Sequence, residues 1–118
     1  MSKWLPEVLP APGDIKIESQ AQDRFYNTDL DEALKAKGIT TLILTGWKVS
    51  GSVTYTSVGA TLRGYTVVVP IDTSLDGTDY EIAIGLFQIL HQHSSNAANE
   101  PLKTGASTLS RTDLITFK

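Results

Sequence analysis

The sequence predicts an α/β fold of three layers, in which a mostly parallel sheet is covered by helices on both faces. Two stretches, 39–45 and 66–71, are uncharged and rich in β-branched residues, a pattern typical of parallel strands that are buried on both sides. Segments with helical spacing of apolar residues alternate with them, and the connections are short. The length of 118 residues favours a single domain, 1–118.

The first strand is predicted at residues 14–18 (DIKIE), where polar and apolar side chains alternate as in a half-buried strand. A helix follows after a turn-like stretch. Thr28 can cap its first turn, in which the acidic residues are favourable. Gly38 stands where helices commonly end in a left-handed residue.

The second strand is the run ITTLILT, which begins at Ile39 and ends at Thr45. Residues 52–63 are a helix candidate that Gly64 ends, and residues 66–71 (TVVVPI) are the third strand.

Thr78 followed by Glu81 is a capping box, which predicts the start of the last helix. In such a pair each side chain can bond the other residue's backbone amide. Its apolar residues recur at helical spacing. A polar, loop-like segment at 94–105 precedes a final short strand, predicted at 107–117.

Composition excludes several classes of function. With 41% hydrophobic and 19% charged residues the chain is not expected to be disordered, and a net charge of −3 offers no footprint for nucleic acid or an anionic membrane. The absence of cysteine excludes disulfides, a thiolate zinc site and a catalytic thiol.

No metal-ligand spacing or phosphate loop occurs, so no cofactor is expected. No signal-peptide or membrane-span pattern is present, and we expect a cytoplasmic protein.

The loop at residues 46–52 (GWKVSGS) is the candidate site, because ligands of parallel sheets bind beyond the carboxyl ends of strands. Its backbone amides precede a predicted helix and form a candidate anion or oxyanion site. The residues concerned are Lys48, Val49, Ser50 and Gly51.

Ser52 lies at the start of that helix and has two interpretations. As a nucleophile it would need a general base, since a hydroxyl at its ordinary pKa is a poor nucleophile. Serine is also a preferred helix cap, and Ser50 could do the same work. The residues alone favour capping over catalysis.

Three further side chains are candidates for acid or base groups. Asp72 is either a carboxylate in a pocket or, as the pattern favours, the cap of a turn at 74–76. His91 and His93 are either proton-transfer groups or, more in keeping with their place near a helix end, surface residues favourable with the helix dipole.

The ordered set of features resembles the isochorismatase-like cysteine hydrolases. The matching stretch is LDEALKAKGITTLILTGWKVSGSVTYTSVGATLRGYTVVVPIDTSL, preceded by PAPGDIKIESQAQDRFYNTDLD, and the resemblance covers about residues 6–90. It implies a Rossmann-like sheet of the isochorismatase type. It also implies a peptide bond near Lys48–Val49 that is often cis in the family.

The sequence departs from the family pattern at the catalytic positions, and these departures bear on the expected activity. Family members use a catalytic Asp, Lys and Cys; the resemblance puts Ser52 at the Cys position and Ser19 at the Lys position. The family Asp, and the metal ligands of its nicotinamidase branch, belong to strands that would precede Met1. A truncated domain without the first strands is therefore expected.

The resemblance thus implies a degenerate homologue without hydrolase activity, acting as a self-associating or small-ligand-binding module. The alternative is a hydrolase of amide or ester compounds with Ser52 as nucleophile. A thiolate is available near neutral pH and an alkoxide is not, which favours the first reading.

Without the first strands, the run from Ile39 to Thr45 would become an apolar sheet edge. Such edges pair readily with other chains. We therefore expect a homodimer or higher homo-oligomer through this edge, a small anionic ligand as a second partner, and neither nucleic acid nor membrane.

Overall fold

The computed structural model describes residues 4–91 and 107–118. Three helices and five short strands make up the regular structure of this part of the chain, and single helical turns join several of them. The helices are α1 (Leu30–Ala36), α2 (Thr54–Leu62) and α3 (Asp79–His91), and the strands are β1 (Thr41–Ile43), β2 (Gly46–Trp47), β3 (Thr66–Pro70), β4 (Ser74–Leu75) and β5 (Ser107–Ser110).

The main sheet has three parallel strands in the order β1-β3-β5, and β2 and β4 form a small parallel pair beside it. Leu42 of β1 lies opposite Val67 of β3, and Val67 in turn lies opposite Ser107 of β5. Parallel neighbours require crossover connections, which helices α2 and α3 supply here. The predicted α/β fold with a parallel sheet is thus confirmed.

The core is centred on β3, the strand that has a neighbour on each side. Val67 and Val69 are fully buried, and they belong to one cluster with Ala60 of α2 and Ile89 of α3. Phe25 joins this cluster from a loop and stacks on Tyr65 with 5.8 Å between ring centroids. The pattern TVVVPI therefore predicted the central strand correctly.

Tyr65 ties helix α1 to the sheet. Its hydroxyl donates to Asp31 Oδ1 over 2.7 Å, while Leu30 and Leu34 of α1 pack against the core. Burial first, and then the bond to Asp31, raise the pKa of Tyr65 to about 12. The phenol consequently stays protonated, and keeps donating, throughout the physiological pH range.

Strand β1 corrects one expectation and bears out another. Its residues alternate between exposed and half-buried, so the expected burial on both faces is wrong. β1 is the terminal strand of the described sheet, as expected for an edge; Leu42 packs against the core, whereas Thr41 and Ile43 are exposed. Only three of the seven residues in the run form regular strand.

The strand expected at 14–18 is absent. Ile15 is 46% exposed and the segment forms no ladder with any described strand. Instead Asp14 closes a turn, since its carboxylate accepts from the Ala11 amide over 2.7 Å. Alternation of side chains makes a strand possible, but a strand also needs a hydrogen-bonding neighbour.

The final strand is shorter than expected, because β5 ends at Ser110 and residues Thr112–Leu114 form a 3₁₀ turn. The carboxylate of Asp72 accepts from both the amide and the hydroxyl of Thr112, which draws the chain out of the ladder. Leu114 and Phe117 are exposed. The loop expected at 94–105 lies outside the described residues.

The helix boundaries follow the predicted signals closely. Gly38 and Gly64 have φ values of +67° and +90°, the left-handed conformation that ends a helix. Thr78 Oγ1 accepts from the Glu81 amide at 3.2 Å, as the capping box predicts. The Glu81 carboxylate, however, accepts from the Thr78 hydroxyl at 2.9 Å rather than from the Thr78 backbone, so only half of the predicted pair is confirmed. Thr28 Oγ1 accepts weakly from Leu30 N at 3.4 Å, one residue before the observed cap position.

The helix expected to begin at residue 52 begins at Thr54. It is preceded by one wide, π-type turn over Val49–Val53, which is called the serine turn below. Within the described chain no helix has both the length and the apolar character needed to cross a bilayer.

Helix α3 packs on the serine turn through Gly85, where only glycine fits. A methyl group added at Gly85 would lie 2.7 Å from the Ser50 nitrogen and 2.7 Å from the Val49 carbonyl carbon. Both neighbours are backbone atoms, so neither can move away without shifting the turn.

We therefore expect Gly85→Ala to lower the free energy of unfolding by about 1–3 kcal/mol, the usual cost of overpacking. Urea denaturation followed by far-UV circular dichroism measures it. Gly77→Ala is the matched control, because its methyl group would meet only the end of the Glu81 side chain, which can swing away at the cost of its bond to the exposed Thr78 hydroxyl. Equal stability of the two variants would contradict this account of the contact.

Candidate functional site

A pocket opens at the carboxyl end of β1, between the serine turn and a loop of residues 19–25 that is called the arginine loop. Its volume is about 380 Å³. Apolar side chains form most of its wall. Four lining residues are polar: one each on helix α2, the serine turn and the arginine loop, and Thr45 after β1. The lining residues are Arg24, Leu30, Leu44, Thr45, Trp47, Ser52, Val53 and Thr56.

Arg24 connects the two serines that the sequence analysis singled out. Its Nη2 donates to Ser52 Oγ at 3.4 Å, and its Nη1 donates to the Ser19 carbonyl oxygen at 2.9 Å. Ser19 contributes its backbone rather than its hydroxyl, which bonds both polar groups of Ala21. One guanidinium thus bonds both residues, but Ser19 is not among the residues that line the pocket beside Ser52.

The arginine loop is held against helix α2 by Thr56. The Arg24 amide donates to Thr56 Oγ1 at 3.1 Å, and the same hydroxyl donates to the Gln22 carbonyl at 3.1 Å. The next residue, Phe25, is buried in the core. The backbone of Arg24 is therefore fixed on both sides, which limits where its guanidinium can reach.

The serine turn is held from inside by its own backbone. The amides of Gly51 and Val53 both donate to the Lys48 carbonyl, at 3.1 and 3.2 Å. Thr54 Oγ1 donates to the Val49 carbonyl at 2.5 Å. The peptide bond between Trp47 and Lys48 is cis, one bond earlier than the resemblance implied.

The expectation that Ser52 caps the helix is wrong. Helix α2 begins at Thr54, and neither it nor the serine turn has a side-chain cap. The π-type turn moves the helix start two residues along the chain, which leaves Ser52 half-buried in the pocket wall. Its hydroxyl therefore faces Arg24 instead of the backbone.

Of the four backbone amides expected to bind an anion, those of Ser50 and Gly51 already donate to acceptors within the protein. Ser50 N donates to Asp76 Oδ2 at 2.8 Å, and Gly51 N is bonded to Lys48 as described above. The Ser50 hydroxyl also donates to Asp76, at 2.5 Å. The carboxylate of Asp76 thus occupies donors that were expected to bind an external anion.

Asp76 is nearly buried, with 8% of its surface exposed. The bond from the Ser50 hydroxyl is the largest of the causes that hold the pKa of this carboxyl below its ordinary 3.8; the amides of Ser50 and Gly77 and the charge of Lys48 contribute in the same direction. Asp76 is therefore ionised at neutral pH.

The other acid and base candidates lie elsewhere. Asp72 bonds Thr112, which keeps its pKa low and contradicts the expected local turn cap. His91 is exposed, stacks on Phe87 with ring centroids 4.1 Å apart and lines a different pocket from Ser52. This arrangement agrees with the surface interpretation of His91. His93 lies outside the described residues.

Sequence reasoning missed Arg24, Thr56 and Asp76. For Arg24 a weak signal existed, since it precedes a phenylalanine in the turn that carries part of the family resemblance. Nothing in the sequence links Asp76 with Ser50, which is 26 residues away. Among the described residues, no group of three or more His, Asp or Glu side chains is arranged to hold a metal ion.

Comparison with known proteins places this architecture. The model of the isochorismatase domain matches residues 1–97. The chain belongs to the isochorismatase family. The sequence-based resemblance is thereby confirmed.

Curated relatives in this family are amidohydrolases. The ureidoacrylate amidohydrolase RutB of Caulobacter vibrioides is 32% identical over 84 residues, 70% of this chain and 37% of the relative. The N-carbamoylsarcosine amidase of an Arthrobacter species is 30% identical over 82 residues, 70% of this chain and 31% of the relative. RutB of Methylobacterium radiotolerans is 49% identical over 39 residues, 33% of this chain and 15% of the relative.

Solved structures show the same fold. An isochorismatase-like hydrolase from Alkaliphilus metalliredigens superposes with a TM-score of 0.78 at 24% identity, covering 95% of this chain and 54% of that chain. The N-carbamoylsarcosine amidase of Thermoplasma acidophilum superposes with a TM-score of 0.75 at 26% identity, covering 96% and 57%. The chain thus spans little more than half of these two isochorismatase-family structures.

The ionised Asp76 makes a prediction for acid stability. Because its pKa is lowered in the folded state, its contribution is fully present above 3.8 and is lost as pH falls through the lower folded value. The free energy of unfolding of Asp76→Asn should be below that of wild type at pH 7, and the gap should narrow below about pH 4.

Urea unfolding at a series of pH values measures that gap. Asp31 and Asp72 also have lowered pKa values and titrate in both proteins, so the difference between the two curves isolates Asp76. A gap that stays constant down to pH 2 would contradict the assignment.

Proposed function

We propose that this isochorismatase-family chain binds a small carboxylate in the pocket between Arg24 and Ser52 and does not hydrolyse it. The observation that carries the proposal is the partner of Ser52: in the described part of the chain, its hydroxyl is bonded by the Arg24 guanidinium at 3.4 Å. No described carboxylate or imidazole bonds this hydroxyl.

The absence of a base at Ser52 argues against nucleophilic catalysis by this chain alone. A serine hydroxyl attacks an acyl carbon only when a neighbouring group takes its proton. Arginine cannot take it, because the guanidinium remains protonated in proteins and only donates. Ser19, at the position where the resemblance implies a lysine, carries no charge, and its carbonyl oxygen accepts from Arg24.

The same guanidinium favours a carboxylate ligand. Its planar donors match the two oxygens of a carboxylate, and charge-assisted bonds of this kind are stronger than neutral ones. A volume of about 380 Å³ lies within the usual size of small-molecule pockets. Relatives are named for ureidoacrylate and N-carbamoylsarcosine, and both compounds combine a urea group with a carboxylate.

N-carbamoylsarcosine is a suitable probe. By isothermal titration calorimetry we expect wild type to bind it, and Arg24→Gln to bind it at least about tenfold more weakly, since a bond to a charged group contributes roughly 1.5–3 kcal/mol. Arg111→Gln is the matched control, because Arg111 is exposed and paired with Asp113 away from the pocket. Equal affinity of wild type and Arg24→Gln would refute the assignment of the ligand site.

The non-hydrolytic part of the proposal is tested separately. Incubation of wild type with the same compound should release no ammonia above that of a protein-free blank. Release that disappears in Ser52→Ala would contradict it.

One observation favours a second candidate function, hydrolysis with Ser52 as nucleophile. Ser52 is half-buried in the pocket wall beside a cation, and a cation stabilises an alkoxide. A partner would then have to supply the base. Intact-mass measurement after a fluorophosphonate probe distinguishes the two functions, since only an activated Ser52 gives an adduct that is lost in Ser52→Ala.

The edge of β1 supports self-association as the assembly in which this module acts. Thr40 O and Leu44 N bond β3, so the alternate residues Thr41 and Ile43 direct their backbone groups to the open edge. A two-fold axis at Leu42 would pair Thr41 with Ile43 of a second copy in antiparallel register. This register uses the whole uncharged run 39–45.

We therefore expect wild type to sediment as a dimer at micromolar concentration and Ile43→Lys to sediment as a monomer, because a charge on an edge strand blocks pairing. Analytical ultracentrifugation measures the species. Leu114→Lys is the control, since Leu114 is exposed beyond β5 on the other side of the sheet. A monomeric wild type would refute the dimer.

A further inference from the structure

The carboxylate of Asp76 holds the serine turn from outside. Its Oδ2 accepts from the Ser50 amide at 2.8 Å and from the Ser50 hydroxyl at 2.5 Å, while Oδ1 accepts from the Gly77 amide at 2.8 Å. The residue is only 8% exposed. Both of its oxygens are therefore engaged in a site with little access for water.

A displacement of Ser50 is passed on to Ser52 through the backbone. The amides on either side of Ser52, those of Gly51 and Val53, converge on the Lys48 carbonyl, so the turn moves as one unit. On the side of helix α3, the close backbone contact at Gly85 leaves no room for the turn. On the sides of the serine turn that do not face helix α3, the bonds from Ser50 to Asp76 determine the position of the turn.

Asparagine cannot replace this carboxylate, although it has the same shape. An ionised carboxylate accepts with both oxygens, whereas an amide accepts with one atom and donates with the other. In Asp76→Asn, either the Gly77 amide or the two Ser50 donors would face an NH₂ group. The substitution therefore breaks at least one bond in either orientation.

We infer that Asp76 is the positioning residue of the Arg24–Ser52 pocket: through Ser50 it sets the serine turn so that Ser52 Oγ meets the guanidinium. Its consequence for affinity rests on the ligand site proposed above, whereas its action on the turn does not. Asp76 acts through Ser50, and it is not among the residues that line the pocket.

The experiment compares Asp76→Asn with wild type by two readouts. In ¹⁵N–¹H correlation spectra we expect the amide signals of Ser50, Gly51, Ser52 and Val53 to shift. By calorimetry we expect the affinity for N-carbamoylsarcosine to fall about tenfold, as when a bond to a charged group is lost.

Asp72→Asn is the matched control. Asp72 also accepts from the amide and the hydroxyl of one residue, Thr112, but has no contact with the serine turn among its bonds. This variant should shift the Thr112 amide and leave the affinity within about twofold of wild type.

A second pair of variants serves if Asp76→Asn does not fold. Ser50→Ala loses the hydroxyl bond to Asp76 but keeps the amide bond, and should weaken binding by a smaller factor. Ser50→Thr keeps both donors and should restore the affinity. A merely structural role of the residue would not depend on the hydroxyl in this way.

Each outcome decides the inference. Unshifted turn amides in Asp76→Asn overturn it, and so does unchanged affinity when those amides have shifted. If wild type binds no N-carbamoylsarcosine, the ligand proposal fails, and the Asp76 inference is then decided by the Ser52 amide alone. In Asp76→Ala, sodium formate should return that signal toward its wild-type position, and sodium chloride should not.

Discussion

The close packing of helix α3 on the serine turn sets the position of the pocket and of the polar residues around it. At Gly85 the two backbones approach so closely that even a methyl group would overlap the turn. This contact joins the element that carries Ser52 to the helix that covers β5, and it brings Asp76, just before α3, within bonding distance of Ser50. The pocket at the end of β1 therefore has one wall that cannot be moved without unpacking the helix.

Two charged side chains, besides packing, hold the serine turn in place. A buried carboxylate engages the donors of Ser50, and a guanidinium engages the hydroxyl of Ser52, so charges of opposite sign hold neighbouring parts of one turn. Arg24 also bonds the carbonyl of Ser19 and gives the pocket a positive charge. In our proposal this charge recruits a carboxylate, and the same charge makes Arg24 useless as a base for Ser52.

The family relation and the chemistry of the site are separate conclusions. Residues 1–97 match the isochorismatase domain, and the curated relatives compared above are amidohydrolases. Their activity belongs to longer chains, of which the matched stretches cover 31% and 37%. A fold can be kept while the groups that perform a reaction change, so function has to be argued from Arg24, Ser52 and Asp76 themselves.

The family, the parallel sheet and the ends of the helices can be predicted from the sequence alone. These features rest on local patterns: the β-branched run of β3, the glycines Gly38 and Gly64, and the pair Thr78 and Glu81. The sequence also located the loop that carries Ser52. The strand expected at 14–18 failed because a strand requires a neighbour, which local alternation does not reveal.

The surroundings of Ser52, in contrast, depend on how distant parts of the chain pack together. Its contact with Arg24 joins residues 28 apart in the chain, and the contact between Ser50 and Asp76 joins residues 26 apart. The wide turn before Thr54, in which Ser52 caps no helix, is bonded by Asp76 and packed against Gly85. A hydrogen bond between distant residues depends on where packing places both of them, and no local pattern in the sequence records that.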